Sequence, residues 1–172
     1  MDYHVKLAAK DDAKEVLAYL KKIGSETDFL LFGPEGVPMT LEQEEAFLEK
    51  VNQTPYSRMY LVKDNNQIIG NGYIHANPRS RIQHKAEIAI SVLEAYWGKG
   101  VGKLLMKTLI DYAKETSFIE TIYLDVVSDN TRAIKLYEKF GFKTYGINER
   151  AIKINNDYHD WLLMRLDLAD DK

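Results

Sequence analysis

The spacing of apolar residues along the chain alternates between a period of two and a helical period. Residues 3–7 alternate apolar and polar side chains, which is typical of a half-buried strand. Asp11 or Asp12 can cap the helix predicted next, whose inner face would carry valine and leucine side chains. Residues 24–39 contain two proline breakers and predict an irregular segment. The segment Thr40–Gln43 then forms a capping box that opens a second helix.

The rest of the chain predicts a hairpin and then alternating strands and helices. Strands over 59–63 and 67–76 are joined by a turn at Asp64-Asn65-Asn66. The elements predicted after them are a strand over 86–92, a helix over 103–116, a strand over 121–127, a helix over 130–140 and two strands, from 141 towards 150 and over 158–168. The resulting order, βααβββαβαββ, is a mixed α/β fold in which antiparallel hairpins flank one βαβ unit.

Composition narrows the class of protein. With 172 residues, 45% of them hydrophobic, and no linker or repeat, the chain predicts a single domain over residues 1–172. The net charge of −3 argues against general nucleic-acid binding. The absence of cysteine excludes disulfides and thiolate metal sites, and the four histidines show no metal-ligand spacing, so no metal is expected. No signal peptide or membrane-spanning run is evident, which predicts a cytoplasmic protein without a membrane partner.

The most informative segment is glycine-rich. Gly98, Gly100 and Gly102 alternate with other residues directly before an apolar-periodic helix. Closely spaced glycines imply unusual dihedrals or a close ligand, because glycine otherwise destabilises a fold entropically. A helix N-terminus behind such a loop points unpaired backbone N–H groups and partial positive charge at one spot, which suits a phosphate or pyrophosphate.

Two known phosphate loops fit this segment poorly. The P-loop requires Gly-x-x-x-x-Gly-Lys-Ser/Thr, but here leucine follows Lys103 and the spacing from Gly98 is wrong. In the dinucleotide fingerprint Gly-x-Gly-x-x-Gly the third glycine comes one residue later than it does here. Asp125 lies where a ribose-binding acid would be expected, but the connector 94–97 separates the glycines from the preceding strand. Neither of these two motifs therefore identifies the anion that the loop would bind.

Together with the segment Asn130–Phe142, the loop resembles the GNAT superfamily of acetyl-coenzyme A-dependent N-acetyltransferases. That family combines a loop Gln/Arg-x-x-Gly-x-Gly/Ala with a later signature Asn-x-x-Ala-x-x-x-Tyr-x-x-x-Gly-Phe, and the resemblance extends from Ala86 to about Leu168. Trp97 stands at the Gln/Arg position and departs from the pattern. The resemblance implies the GNAT fold, a mixed and mostly antiparallel sheet with splayed central strands. It also implies an enzyme that moves the acetyl group of acetyl-CoA to a primary amine by direct transfer.

The resemblance also implies roles for individual residues. Tyr137 would protonate the departing thiolate, although its helix face also suits a core tyrosine. Glu87 would act as general base, with a water relay or an ordinary surface role as alternatives. Asn130 would contact the pantetheine arm, cap its helix, or do both. The residues expected to bind acetyl-CoA are Ile90, Ser91, Val92, Gly98, Lys99, Gly100, Val101, Gly102, Lys103, Asn130, Ala133 and Tyr137.

The acceptor amine is the least determined part of the prediction. The acidic residues of the first half could attract a cation, although the run Glu42–Glu45 is also typical of a solvated helix face. The segment Tyr158–Trp161 offers aromatic walls or ordinary strand patterning. The acceptor is either a small molecule or a protein N-terminus, with a polyamine N-acetyltransferase as one alternative. A non-catalytic acyl-CoA-binding regulatory module is the other. A homodimer is an open option, because exposed sheet edges need cover.

Overall fold

The computed structural model describes residues 3–168 and has the predicted order of elements, βααβββαβαββ. The helices are α1 (Ala13–Glu26), α2 (Leu41–Val51), α3 (Val101–Glu115) and α4 (Thr131–Lys139). The strands are β1 (His4–Leu7), β2 (Ser57–Asp64), β3 (Gln67–Ala76), β4 (Lys85–Val92), β5 (Thr121–Val127), β6 (Lys143–Ile154) and β7 (Asp157–Asp167). Neighbouring strands follow the order β1-β2-β3-β4-β5-β7-β6, and the pairing is mostly antiparallel. The predicted fold class is confirmed.

The chain divides into two compact units, and β4 contributes to both. The first unit comprises Met1–His75 and Ala89–Leu109. In it β2 pairs antiparallel with β1 and with β3, and the register with β3 shifts between Val62 and Lys63. The predicted hairpin turn is present, with Asn65 at a φ of 52°.

Helices α1 and α2 bury one continuous apolar cluster of the first unit. Its fully or nearly fully buried members include Val16, Tyr19, Ile23, Leu48, Val51, Met59 and Leu61. The Thr40 hydroxyl accepts from the Gln43 N–H at 3.2 Å, and the Gln43 side chain accepts from the Thr40 N–H at 2.9 Å. This capping box confirms the predicted start of α2.

Helix α3 packs closely against β3 because two glycines leave room for it. A Cβ atom at Gly70 would lie 2.9 Å from a methyl carbon of Val101, and one at Gly72 would lie 3.0 Å from a methyl carbon of Leu105. Both distances are shorter than ordinary van der Waals contact, so a side chain at either glycine would push α3 outward. These glycines therefore set the distance between β3 and the helix that follows the glycine-rich loop.

The second unit comprises Ala76–Ile88 and Ile110–Lys172. The start of β4 pairs parallel with β5 over three residue pairs, from Lys85↔Thr121 to Glu87↔Tyr123. Strand β7 pairs antiparallel with β5 and with β6. The tight turn between β6 and β7 has Asn155 and Asn156 at positive φ, as the predicted Asn-Asn-Asp turn requires. The splay of β4 away from β5 stays a prediction.

The side-chain capping bond that was predicted at the start of α1 is absent. Asp12 occupies the N-cap position, but its side chain makes no capping bond to the helix. Its carboxylate accepts instead from the Lys6 ammonium at 2.7 and 2.8 Å and from the Ala9 N–H at 2.9 Å. The strand lysine outcompetes the helix N–H groups because a charged donor binds a buried carboxylate more strongly. Helix α1 also continues through Gly24 to Glu26, so the irregular segment begins later than predicted.

Candidate active site

The glycine-rich loop has the backbone that its composition predicts. Gly98 and Gly100 have φ values of +71° and +90°, a region that favours glycine. A Cβ atom built on either residue would meet nothing within 4 Å among the described residues, so the loop borders open space. Helix α3 begins at Val101, and the Leu104 N–H donates to the Gly100 carbonyl at 2.9 Å. The first N–H groups of α3, including those of Gly102 and Lys103, therefore lack intrahelical acceptors.

Trp97 holds the loop to β4. Its indole N–H donates to the Val92 carbonyl at 2.7 Å. Beside it, the Tyr96 hydroxyl donates to the Asp64 carboxylate at 3.0 Å, and the Lys99 ammonium lies 5.4 Å from the centre of the Tyr96 ring. An indole at the position where the family has Gln or Arg thus serves packing and a bond to the strand. An anion at this loop would depend on backbone N–H groups and the two lysines.

The end of β4 alternates between its two faces as predicted. Ile90 lies near the position of a Gly72 Cβ, beneath α3, and both Ile90 and Val92 pack against the buried cluster of that side. On the opposite face, Ser91 shares a hydrogen bond of 2.9 Å with the Tyr19 hydroxyl of α1. Burial, together with the nearby Glu26 carboxylate, raises the pKa of Tyr19 well above its usual range. Ser91 is therefore tied to α1 by its side chain.

In the second unit, α4 positions Asn130, Ala133 and Tyr137. The Asn130 side chain caps the helix by accepting from the Ala133 N–H at 3.3 Å. Tyr137 is 8% exposed and its ring lies 6.1 Å from that of Phe142. Burial raises the pKa of Tyr137 to about 12. Within residues 3–168 its hydroxyl has no hydrogen-bond partner. Helix α4 therefore carries a proton donor that makes no hydrogen bond within those residues.

Glu87 is exposed on β4. Asp125 on β5 has a raised pKa. Burial is the larger cause and the charge of Glu87 adds to it.

The acidic residues of the first half have different environments. Glu26 accepts from the Glu94 N–H at 2.7 Å, and Glu35 accepts from the Gly33 N–H at 2.8 Å. Glu42 is exposed, whereas Glu44 is only 2% exposed. Sequence reasoning treated the glutamates of α2 as one group and missed this difference. The helical spacing of Glu44, Leu48 and Val51 is the signal that could have revealed it.

A second feature was missed in the final hairpin. The His159 ring nitrogen Nδ1 lies 2.5 Å from a carboxylate oxygen of Asp129, the residue directly before the Asn130 cap. Nothing in the spacing of the two residues along the chain indicates this contact, because β7 brings them together.

Among residues 3–168 there is no cluster of side chains suited to a metal ion, and none of the helices there is long and apolar enough to cross a membrane.

Comparison with known proteins matches this chain to acetyltransferases. The model of the Acetyltransferase (GNAT) family matches residues 26–142. The L-amino acid N-acetyltransferase AaaT of Escherichia coli is 28% identical over 112 residues, which cover 65% of this chain and 69% of that protein. For two other curated relatives, the match to this chain covers only 35% and 48% of the relative's own length.

Solved structures match nearly the whole chain. An acetyltransferase of the GNAT family from Streptococcus pneumoniae is 30% identical, with a TM-score of 0.93 over 97% of this chain and 100% of that one. The putative acetyltransferase yncA from Salmonella typhimurium, solved with its cofactor acetyl-CoA, has a TM-score of 0.82 at 18% identity. That match covers 96% of this chain and 94% of that one, and at this identity it shows the fold alone.

Proposed function

Because the chain belongs to the acetyltransferase (GNAT) family, we propose that it is an N-acetyltransferase that moves the acetyl group of acetyl-CoA to a primary amine by direct transfer. The observation that carries this proposal is the loop with positive φ at Gly98 and Gly100, directly before the N-terminus of α3. An alternative interpretation as a regulatory module has less support, because the chain has both Asn130 and Tyr137.

The glycine-rich loop would hold the pyrophosphate of acetyl-CoA. The space that a Cβ would fill at Gly98 and Gly100 is open, so an anion can approach the backbone closely. Backbone N–H groups of the loop and of the first turn of α3 donate to it, and the helix dipole adds favourable potential. Lys99 and Lys103, both exposed, add positive charge. We assign Ile90, Ser91 and Val92 to the pantetheine arm through their backbone groups, as an added strand would bind.

Two residues of the second unit are assigned to proton transfer. In the reaction a bond forms between the amine nitrogen and the acetyl carbonyl carbon, the carbon–sulfur bond breaks, and the amine loses a proton while the thiolate gains one. Tyr137 supplies the proton to the thiolate, since its hydroxyl is protonated at neutral pH. Glu87 takes the proton of the amine, directly or through water. We also assign Asn130, beside its capping role, and Ala133 to binding of the pantetheine arm.

The test is thiol release from acetyl-CoA, measured with a panel of amino acids, diamines and short peptides, together with the mass of the product. We expect release that depends on an amine and an acetylated product of the same amine. Calorimetry with acetyl-CoA in the absence of an amine separates the two parts of the proposal. Binding without turnover for any amine would favour the regulatory module, and no binding would refute the assignment of the loop.

A further inference from the structure

A short helical turn, Glu94–Tyr96, connects β4 to the glycine-rich loop. Leu93 occupies its N-cap position and has no side-chain oxygen that could accept a hydrogen bond from the turn. The Glu26 carboxylate at the end of α1 supplies the acceptor, since it binds the Glu94 N–H at 2.7 Å. The first N–H groups of a helix lack intrahelical acceptors and carry partial positive charge, so a carboxylate stabilises them. A residue of another helix thus caps the turn that leads into the loop.

A second hydrogen bond joins α1 to the end of β4. The hydroxyl groups of Tyr19 and Ser91 share it at 2.9 Å. Residues seven apart lie on the same face of a helix, so Tyr19 and Glu26 approach β4 and its connection from one side of α1. Tyr19 is only 4% exposed, and the backbone of Asn71 on β3 also lies within hydrogen-bonding reach of its hydroxyl. A buried hydroxyl with two partners fixes a direction, which the apolar packing around it does not.

The glycine-rich loop depends on this connection for its position. Gly98 and Gly100 have no side chains that could pack, and a Cβ atom at either would meet nothing within 4 Å among the described residues. Glycine also has more conformational freedom to lose than any other residue. The loop is therefore positioned from its two ends, by α3 on one side and by the hydrogen-bonded residues 91–97 on the other.

We propose that Tyr19 and Glu26 are positioning residues that hold the end of β4 and the glycine-rich loop in the conformation that binds acetyl-CoA. Tyr19 acts through Ser91 and Glu26 acts through Glu94, so neither needs to touch the coenzyme. The inference rests on the proposed function, because acetyl-CoA is the ligand whose affinity reveals the effect.

The sign of the effect separates positioning from a direct role of the Glu26 charge. The phosphates of acetyl-CoA are anionic, and a carboxylate beside an anion-binding loop repels them. If Glu26 acted through its charge alone, its removal would therefore strengthen binding. If Glu26 acts by holding Glu94, its removal weakens binding even though a repulsive charge is lost.

Isothermal calorimetry with acetyl-CoA tests the proposal. For Glu26→Ala we expect the dissociation constant to rise about 10-fold, the value of one hydrogen bond to a charged group. Glu26→Gln removes the charge but keeps an acceptor oxygen, so it should restore most of the affinity. Tyr19→Phe keeps the buried ring and should weaken binding several-fold. The control Glu15→Ala removes a carboxylate from the same helix that binds Lys63 at 2.7 Å, and it should leave the dissociation constant unchanged. The kcat at saturation should stay close to the parent value in all four variants.

Hydrogen exchange of single amides, followed by NMR, tests the connection without any ligand. The Trp97 N–H donates to the Glu94 carbonyl at 3.0 Å, so its exchange reports whether the turn is formed. The amides of Glu94 and Trp97 should exchange about 10-fold faster in Glu26→Ala than in the parent, and at the parent rate in Glu15→Ala.

The inference requires both results. An unchanged dissociation constant for acetyl-CoA in folded Glu26→Ala would overturn it, and so would unchanged exchange of the two amides. If Glu26→Ala does not fold, the same two measurements on Tyr19→Phe decide in its place. If the parent does not bind acetyl-CoA, the proposed function fails, and the exchange rates then decide by themselves whether α1 holds the loop.

Discussion

At the scale of single residues, a substitution of Tyr137 tests whether this residue acts as a proton donor or only packs in the core. Tyr137→Phe keeps the ring that packs near Phe142 and removes only a hydroxyl that has no partner in residues 3–168. We expect kcat to fall by about 10²–10⁴-fold, the usual contribution of general acid catalysis. The dissociation constant of acetyl-CoA and the melting temperature should hardly change.

The matched control for this prediction is Tyr60→Phe, which removes a hydroxyl from a partly buried tyrosine on β2. Its kcat should equal that of the parent. If Tyr137→Phe retains the parent kcat but melts earlier, Tyr137 is a core residue and the proton donor is another group. Steady-state thiol release and a melting curve on the same preparations are sufficient to decide.

Asp12 allows a prediction about stability and pH. Although burial opposes it, the bonds from Lys6 and the Ala9 N–H and the charge of Lys63 hold the pKa of Asp12 below its ordinary value of 3.8. A lowered folded-state pKa stabilises the protein above that ordinary value, and the stabilisation is lost as the pH falls through the folded-state pKa. Asp12→Asn should lower the free energy of unfolding by about 3 kcal/mol at neutral pH, near the low end for a broken buried pair, because Lys6 is partly exposed.

Denaturant unfolding of parent and Asp12→Asn between neutral and strongly acidic pH checks this prediction. The difference between the two should be constant down to about pH 5 and then shrink as Asp12 takes up its proton. Glu49→Gln is the control, since Glu49 pairs with Lys10 only at 3.9 Å on an exposed surface. A difference that does not depend on pH would mean that the carboxylate charge of Asp12 contributes nothing.

At the scale of elements, the glycine-rich loop has a backbone conformation that favours glycine, and we propose that it binds a phosphate group. Gly100→Ala places a Cβ at a φ of +90°, which should lower the free energy of unfolding by about 1–2 kcal/mol. It also fills the space through which a phosphate would approach. Isothermal calorimetry should therefore show a clearly higher dissociation constant for acetyl-CoA.

Gly141→Ala separates strain from binding, because Gly141 has a φ of +89° and lies after α4, outside the loop. It should melt earlier than the parent and bind acetyl-CoA as tightly. Equal dissociation constants for Gly100→Ala and the parent would mean that the loop does not hold the pyrophosphate.

Helix α2 depends on its capping box. Thr40→Ala removes the acceptor of the Gln43 N–H and should lower the free energy of unfolding by about 1 kcal/mol. Thr40→Ser retains the hydroxyl and should restore most of the loss. Melting curves of the parent, Thr40→Ala and Thr40→Ser test both statements.

At the scale of the whole molecule, ligand binding should stabilise the fold. A ligand that binds only the folded chain adds about 2.7 kcal/mol at a concentration of 100 times its dissociation constant. Acetyl-CoA should therefore raise the melting temperature of the parent in proportion to the logarithm of its concentration, and it should raise that of Gly100→Ala less. Free adenosine, which lacks the pyrophosphate, is the control and should have little effect. A melting temperature that acetyl-CoA does not change would contradict the proposed function.

Local patterns in the sequence determined the type and order of the elements. The alternation along β4, the capping box of α2 and the asparagine turns act over a few neighbouring residues, so they could be recognised without knowing the fold. The same holds for Gly98 and Gly100, since positive φ is accessible at low energy mainly to glycine. Recognition of the family depended on these local signals and on the fixed spacing from Asn130 to Phe142.

The environment of individual side chains was decided only by the tertiary structure. Asp11 or Asp12 was predicted to cap α1, but Lys6 on β1 and Lys63 on β2 hold the Asp12 carboxylate. Glu44 belongs to an acidic run that is typical of a solvated face, yet α2 buries it in the first unit. Burial and electrostatic pairing depend on which distant segments meet, and this information is spread over the whole chain.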